Sequence, residues 1–402
     1  MKKHILVVSQ YFYPEPFRIN DMCKEWVKRG YKVTVVTGIP NYPEGKFYKG
    51  YGWCKKRKET IDGVDVIRLP IFARKKGGAL RLALNYYSFV ISGFFWKLFT
   101  RIKADLVFTF EVSPMTQALV GVWYAKKRKI PHYLYVQDLW PENLEIVAGI
   151  KNKFFLNKME KMTRKIYRKS DRIFATSESF VKAIQTRLNE NKDKVSCWYQ
   201  YAEEFYKPSN APAYNEIPQS KTFKIIFTGN IGKAQGLEIL PKTAELLKEE
   251  GVQAQFVIVG DGRDKNQLVE DIEKRGVQEY FTLLGRRPAE EIPALLGACD
   301  AAFISFMNNE LFASTIPAKL QSYMSCGMPI IASATGETER IIREANCGLC
   351  AEIGNAEALA KAVKEMIVRT DLKTLGENAE KYSNEHFNKK RLMDQMDEYL
   401  GV

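Results

Sequence analysis

Short, continuous apolar runs recur along the chain at 4–8, 32–37, 64–69, 105–110, 131–136, 171–175 and 195–199, then at 223–228, 254–259, 280–284, 300–304, 329–332 and 348–351, with helically spaced stretches between them. Runs without polar alternation mark strands covered on both faces. Strand and helix in alternation predict parallel sheets layered between helices, an α/β fold of doubly wound type. The rhythm lapses from Lys207 to Ser220, where the chain holds three prolines and no apolar period. The spacing therefore predicts a first domain over 1–205, a linker over 206–220, a second domain over 221–385 and a terminal helix over 386–402 that packs back on the first domain.

One segment breaks the pattern. Leu82 to Trp96 carries no charge and is rich in aromatic residues, with Arg81 before it and Lys97 and Arg101 after it. It is shorter than the ~20 residues a spanning helix needs, and Asn85, Ser88 and Ser92 interrupt it, so it fits either an interfacial helix or a buried one. Charge favours the first. Residues 1–200 carry a net +21 and residues 201–402 a net −7, within a total of +14. Basic runs stand at Lys55-Lys56-Arg57-Lys58, Arg74-Lys75-Lys76 and Lys126-Lys127-Arg128-Lys129. An anionic membrane surface answers that charge better than nucleic acid, whose readers interleave basic and aromatic residues on strands or loops. His4–Val8 is too short an apolar run for a secretory signal, and seven scattered cysteines fit a reducing compartment. Three histidines and a single close cysteine pair, Cys347 and Cys350, do not suggest a metal centre.

The segment Ser314 to Ser333 reads as polar loop, helix and buried strand: Thr315 as cap, Pro317 and Lys319 in the early turns, Gly327 as the stop. A helix start with a lysine one turn in is an anion site, with Ser314 and Thr315 as hydroxyl donors beside Lys319. The turn Gly229-Asn230-Ile231-Gly232 after the strand at 223–228 brings backbone N–H groups close to a ligand because two positions lack side chains, and Lys233 and Gln235 follow. Arg286 and Arg287 close another strand and are either further anion donors or surface residues. Asp138 follows the strand at 131–136, where a carboxylate can orient or deprotonate a hydroxyl or can simply cap the next turn.

Five ordered segments, Gln10–Arg18, Gly38–Gly45, Val136–Asn143, Thr228–Leu237 and Ile316–Ile331, carry a resemblance. Over essentially its whole length the chain resembles family 4 glycosyltransferases of the GT-B fold, and within them the bacterial O-antigen and capsule enzymes of the WbuB type. The resemblance implies two Rossmann-like domains facing across a cleft. It implies transfer, with retention of configuration, of an N-acetylated amino or deoxyamino sugar from UDP to a lipid-linked saccharide on the cytoplasmic side of the membrane. No cofactor or metal is implied, since the leaving phosphate itself takes the acceptor's proton. The diphosphate falls to the Gly229–Gln235 turn, Lys319 and the arginine pair, and the acceptor to Arg18, Asn20, Tyr42 and Gln137. Two departures stand out. The family's pair of glutamates falls on Ser314 and Ser322, which leaves Glu310 as a substitute carboxylate, and its sugar-binding histidine falls near Gln137. These losses keep two alternatives open: a UDP-sugar 2-epimerase, disfavoured by the few histidines, and an idle member that binds lipid or a partner.

Overall fold

The unbroken apolar runs become the inner strands of two sheets. The computed structural model describes residues 2–75, 78–146, 149–189, 191–209, 216–218 and 221–401, and these form two units, one ending at Trp198 and one beginning at Tyr199. Of the expected linker, residues 210–215 and 219–220 lie outside the described residues, while Ile217 is buried in the core of the second unit.

The first unit holds β1 (His4–Val8), β2 (Lys32–Gly38), β3 (Lys58–Ile61), β4 (Val64–Leu69), β5 (Leu106–Glu111), β6 (His132–Val136), β7 (Arg172–Ala175) and β8 (Val195–Cys197). Their order across the sheet is β3-β4-β2-β1-β5-β6-β7-β8. Every pairing is parallel except that of β3 with β4. The apolar pattern does not foresee β3: its residues Lys-Glu-Thr-Ile sit at the edge of the sheet, half in solvent, and need no continuous hydrophobic run.

The second unit holds β9 (Phe223–Asn230), β10 (Ala254–Asp261), β11 (Phe281–Gly285), β12 (Ala301–Ser305), β13 (Ile330–Ser333) and β14 (Gly348–Ala351), in the order β11-β10-β9-β12-β13-β14 and parallel throughout. Alternate side chains of β9 feed opposite cores. Ile225 and Phe227 pack under one layer of helices with Phe256 and Leu359, and Ile226 packs under the other with Leu295 and Leu320. That two-sided burial is why the runs carry no polar alternation. The terminal helix, Lys389–Leu400, belongs to the second unit, where Lys389 pairs with Glu204 at 3.3 Å.

In each unit the strand order reverses once, between β1 and β5 in the first and between β9 and β12 in the second. A sheet of this kind opens a crevice at the carboxyl ends of the two strands flanking the reversal, because their connections leave in opposite directions. The residues at those ends are Ser9, Gln10 and Glu111 in one unit, and Gly229, Asn230 and Ser305 in the other.

Helix Ala79–Phe99 follows β4 and contains the uncharged segment whole. It buries Asn85 and Phe89 and turns Leu80, Leu84, Tyr87, Ile91, Phe95 and Leu98 outward at spacings of three or four, a continuous apolar stripe in solvent. Among the described residues no helix is long and apolar enough to cross a membrane.

Candidate functional site

At the carboxyl end of β9 the backbone is kept bare. Gly229 has φ +136°, and a Cβ there would meet the ammonium of Lys319 at 3.4 Å. Gly260, paired with it on β10, has φ +152°, and a Cβ would stand 1.8 Å from the Gly229 carbonyl oxygen. The two strand ends therefore approach more closely than side chains permit. Beyond them the Ser305 hydroxyl donates to the Gln235 carbonyl at 2.5 Å, and the Asn230 side-chain amide donates to Gln235 Oε1 at 3.3 Å. These bonds tie the glycine turn across the reversal point to β12. Lys233 and Gly232 also line a depression of 510 Å³ with Arg263 and Asp264.

Lys319 is delivered to this turn from helix Ala318–Ser325. The residue is half-buried, and its ammonium lies 3.9 Å from the centre of the Phe227 ring. Desolvation pushes its pKa down to about 7. A lysine held this way, beside bare N–H groups, gains most from an incoming anion, which restores the charge that burial opposes. The structure thus brings together two elements distant in sequence, the Gly229 turn and Lys319.

The start of that helix differs from the expectation. Its N-cap is Pro317, with no side-chain cap, and Thr315 lies outside it. A separate short helix, Glu310–Ala313, precedes it: the Ser314 hydroxyl donates to the Glu310 carbonyl at 3.3 Å and the Thr315 hydroxyl to the Leu311 carbonyl at 2.9 Å. Asn309 caps the short helix, accepting from the Leu311 N–H, and Glu310 is exposed in its first turn. Both hydroxyls bond back to carbonyls four residues earlier, at the end of the short helix, and so are not turned toward the start of the next one. Ser322 is buried and donates to the Ala318 carbonyl at 3.1 Å. Arg286 is exposed, whereas Arg287 is half-buried and paired with Glu216 at 2.6 Å.

The first unit meets its reversal point with acids. Glu111 ends β5 wholly buried, and neither carboxyl oxygen has a hydrogen-bond partner among the described residues. Burial, then the neighbouring Asp138 carboxylate, pushes its pKa far up; the N–H groups of Gln137 and Asp138 lie near and oppose this only in part. Asp138 follows β6, accepts from the Ser113 N–H at 2.7 Å, and is itself raised by burial. Trp140 fixes the other side of Ser113 through a 3.1 Å bond to its hydroxyl. Asp138 is thus positioned by a neighbouring loop and does not cap the turn that follows it. Gln137 sits beside it, with its amide nitrogen buried.

A second acid, Glu15, organises the loops after β1 and β2. Its carboxylate accepts from the N–H groups of Asn41 at 2.8 Å, Tyr42 at 2.7 Å and Phe12 at 3.3 Å, and burial raises its pKa to about 7. Asn20 braces the same loop, accepting from the Tyr13 N–H at 3.0 Å and donating to the Glu15 carbonyl at 2.7 Å. Arg18 opens helix Arg18–Lys28 close by. The Tyr42 ring leans on Tyr11 and Phe17. His132 is a satisfied core residue, as its mid-strand position suggests: its ring nitrogens meet Thr109 at 2.8 Å and Ser170 at 3.0 Å, and burial lowers its pKa to about 3. Glu111, Glu15, Tyr11 and Arg74 escape sequence reasoning. Glu111 alone had a signal, a carboxylate at the end of an apolar run, the same one that marks Asp138.

Comparison with known proteins bears on the family and the fold. Residues 214–382 match the family described as "Glycosyl transferases group 1", and residues 17–196 match the "Glycosyl transferase 4-like domain". A putative colanic acid biosynthesis glycosyl transferase of Escherichia coli, WcaI, is 26% identical over 97% of this chain and 98% of its own length. A probable glycosyltransferase of Pseudomonas aeruginosa, WbjE, is 29% identical over 60% of this chain and 61% of its own. Among solved structures, sucrose-phosphate synthase from Thermosynechococcus elongatus aligns over 99% of this chain and 98% of its own with a TM-score of 0.76 at 15% identity. HepE of Anabaena, solved in complex with UDP, aligns over 100% and 99% with a TM-score of 0.68, also at 15% identity. At such identities the structural likeness is one of fold.

Proposed function

Since this chain belongs to the glycosyltransferase family whose group 1 and 4-like domains it carries on a GT-B fold, we propose that it transfers a sugar from UDP to a lipid-linked saccharide, with retention of configuration, during assembly of a surface polysaccharide. The observation that carries the donor half of this reading is the Lys319 ammonium beside bare Gly229 at the carboxyl end of β9. Cleaving a sugar–diphosphate bond builds negative charge on the leaving phosphate, and a desolvated lysine with backbone N–H donors stabilises that charge at the moment it forms. UDP is the nucleotide of choice because HepE holds it on the same fold, and the colanic acid biosynthesis role given to WcaI directs the choice of acceptor toward polysaccharide intermediates. An N-acetylated amino or deoxyamino sugar follows from the resemblance to O-antigen enzymes.

Asp138, held by Ser113, is the group we assign to orient the acceptor hydroxyl. No enzymic nucleophile and no metal enter this scheme. The exposed stripe of helix Ala79–Phe99, flanked by Lys97 and Arg101 in a unit of net positive charge, would rest on the anionic inner face of the plasma membrane, where lipid-linked acceptors reside.

Calorimetric titration of UDP into the wild type and Lys319→Ala tests the donor half. Binding weakened by about 1.5–3 kcal/mol in the variant is expected for loss of a charge-assisted hydrogen bond, and a panel of UDP-sugars with a lipid-diphosphate saccharide then identifies the product. Absence of binding to UDP, GDP and ADP alike would turn the reading to an idle member of the family.

A further inference from the structure

Arg74 lies between β4 and helix Ala79–Phe99, outside every segment of the resemblance. Its guanidinium carbon stands 5.1 Å from the ring centres of Tyr11 and Tyr42 and 5.4 Å from that of Tyr86. One terminal nitrogen donates to the hydroxyls of Tyr11 and Tyr86, the latter at 3.2 Å, and the Arg74 N–H donates to the Asn41 side-chain oxygen at 3.2 Å. The Nε is buried without a hydrogen-bond partner. No carboxylate pairs with it among the described residues. The nearby acids are otherwise engaged: both oxygens of Glu15 accept loop N–H groups, and Asp138 accepts from Ser113.

A half-buried guanidinium with only neutral partners is an arginine prepared for an anion. Three ring faces hold its plane and limit its rotamers, and its fork matches the paired oxygens of a phosphate. Its place in the chain selects the anion. Tyr86 belongs to the helix whose Leu80, Leu84 and Tyr87 face solvent, and Tyr11 follows β1 at the reversal point where Glu111 and Asp138 stand. Arg74 therefore bridges the apolar stripe and the acid cluster within one unit.

We infer that Arg74, framed by Tyr11, Tyr42 and Tyr86, binds the diphosphate of a polyprenyl-type acceptor, with the lipid along helix Ala79–Phe99 and the sugar toward Asp138. This rests on the reading of the acceptor as lipid-linked. Its test is a binding measurement that needs no sugar transfer. Farnesyl diphosphate is titrated into the full chain as wild type, Arg74→Ala and Arg74→Gln, the glutamine guarding against a packing defect by keeping a stem against the rings, with UDP as a second titrant. The expected result is a ten- to hundredfold (~) weaker affinity for farnesyl diphosphate in both variants, the range for a lost charge-assisted pair, with UDP affinity retained. Equal binding by wild type and variants overturns the inference. So does parallel loss of UDP affinity in both variants, which would make Arg74 a structural plug, and so does equal dependence on Arg74 in flotation with phosphatidylglycerol vesicles, which would make bulk lipid headgroups the ligand. Failure of transfer with every donor would sink the proposed function and leave this binding result standing.

Discussion

The two units solve the same topological problem with opposite chemistry. At its reversal point the second unit presents glycine backbone and one desolvated lysine, while the first presents carboxyl groups that burial keeps from ionising freely. Backbone N–H groups and a lysine suit a ligand that arrives with negative charge and gains more as a bond breaks. Carboxyl groups with raised pKa suit a neutral hydroxyl, which needs an acceptor for its hydrogen bond. The difference teaches that the fold supplies the two crevices and the residues at the strand ends give each its own chemistry, which under the proposed function divides the labour between an anionic donor and a hydroxylic acceptor.

The largest effect expected to break this contrast comes from Gly260→Ala. A Cβ at 1.8 Å from the Gly229 carbonyl oxygen, on a backbone with φ +152°, forces β9 and β10 apart at their ends. We expect a loss of about 3 kcal/mol in the stability of the second unit, from strain and overpacking together, and loss of UDP binding. Thermal denaturation and calorimetry check both; a variant as stable as the wild type that still binds UDP would show that bare backbone is not what builds the donor site. Asp138→Asn is the counterpart in the first unit. It keeps the shape and removes the carboxylate that orients the acceptor hydroxyl, so kcat should fall about 100-fold, the upper end for a lost hydrogen bond to a charged group, while UDP affinity stays. A fall in UDP affinity with kcat unchanged would place Asp138 on the donor side and dissolve the division.

A smaller effect sharpens the donor half. Lys319 is a base whose pKa in the folded protein is depressed to about 7, so above that pH it is largely neutral in the free protein. A bound diphosphate favours the charged form, so binding of UDP near pH 8 should be accompanied by uptake of a proton onto Lys319, and the affinity should fall as pH rises above 7, by at most about tenfold per pH unit. The same shift makes the unliganded fold more stable as pH climbs from 7 toward the ordinary lysine range, since the unfolded chain there holds the proton that the folded one has released. Calorimetry in buffers of different ionisation enthalpy reads the proton directly, and binding with no uptake at pH 8 would mean that Lys319 does not meet the phosphates.

Much of the scaffold is legible in the chain because strands buried on both faces have no polar alternation. All thirteen expected strands occur, with ends displaced by a residue or two. What stays hidden has physical reasons. The edge strand β3 carries charge because solvent reaches it. The helix start near Ser314 is ambiguous because a threonine and a proline both fit a helix beginning, and local back-bonding to the Glu310 and Leu311 carbonyls decides. Gly229 and Lys319 each look like a site residue in isolation, but their contact depends on β9 and β12 being neighbours, a fact of topology that no local pattern contains. Glu111 stands just past the expected run at 105–110 and is taken into the strand Leu106–Glu111, so its carboxylate reads equally as a strand end or as a site.

Glu111→Gln probes the comparison most gently. The side chain is wholly buried, its oxygens have no hydrogen-bond partners among the described residues, and burial with the nearby Asp138 drives its pKa upward. An acid whose folded pKa exceeds its unfolded value costs stability as pH rises from the ordinary carboxylate range, because the folded chain retains a proton that the unfolded chain has lost. Glutamine keeps the volume and the neutral form and removes that dependence. The variant should therefore match the wild type near pH 4, to within about 1 kcal/mol for a volume-conserving exchange, and gain on it steadily toward pH 8 in parallel denaturation curves. Because residue 111 is neutral in both proteins, the acid limb of the kcat profile and the UDP affinity should both stay where they are. If the two stability curves run parallel across that pH range, Glu111 is ionised in the fold, and the first unit would then hold a charged carboxylate pair where we have described a neutral acid beside a carboxylate.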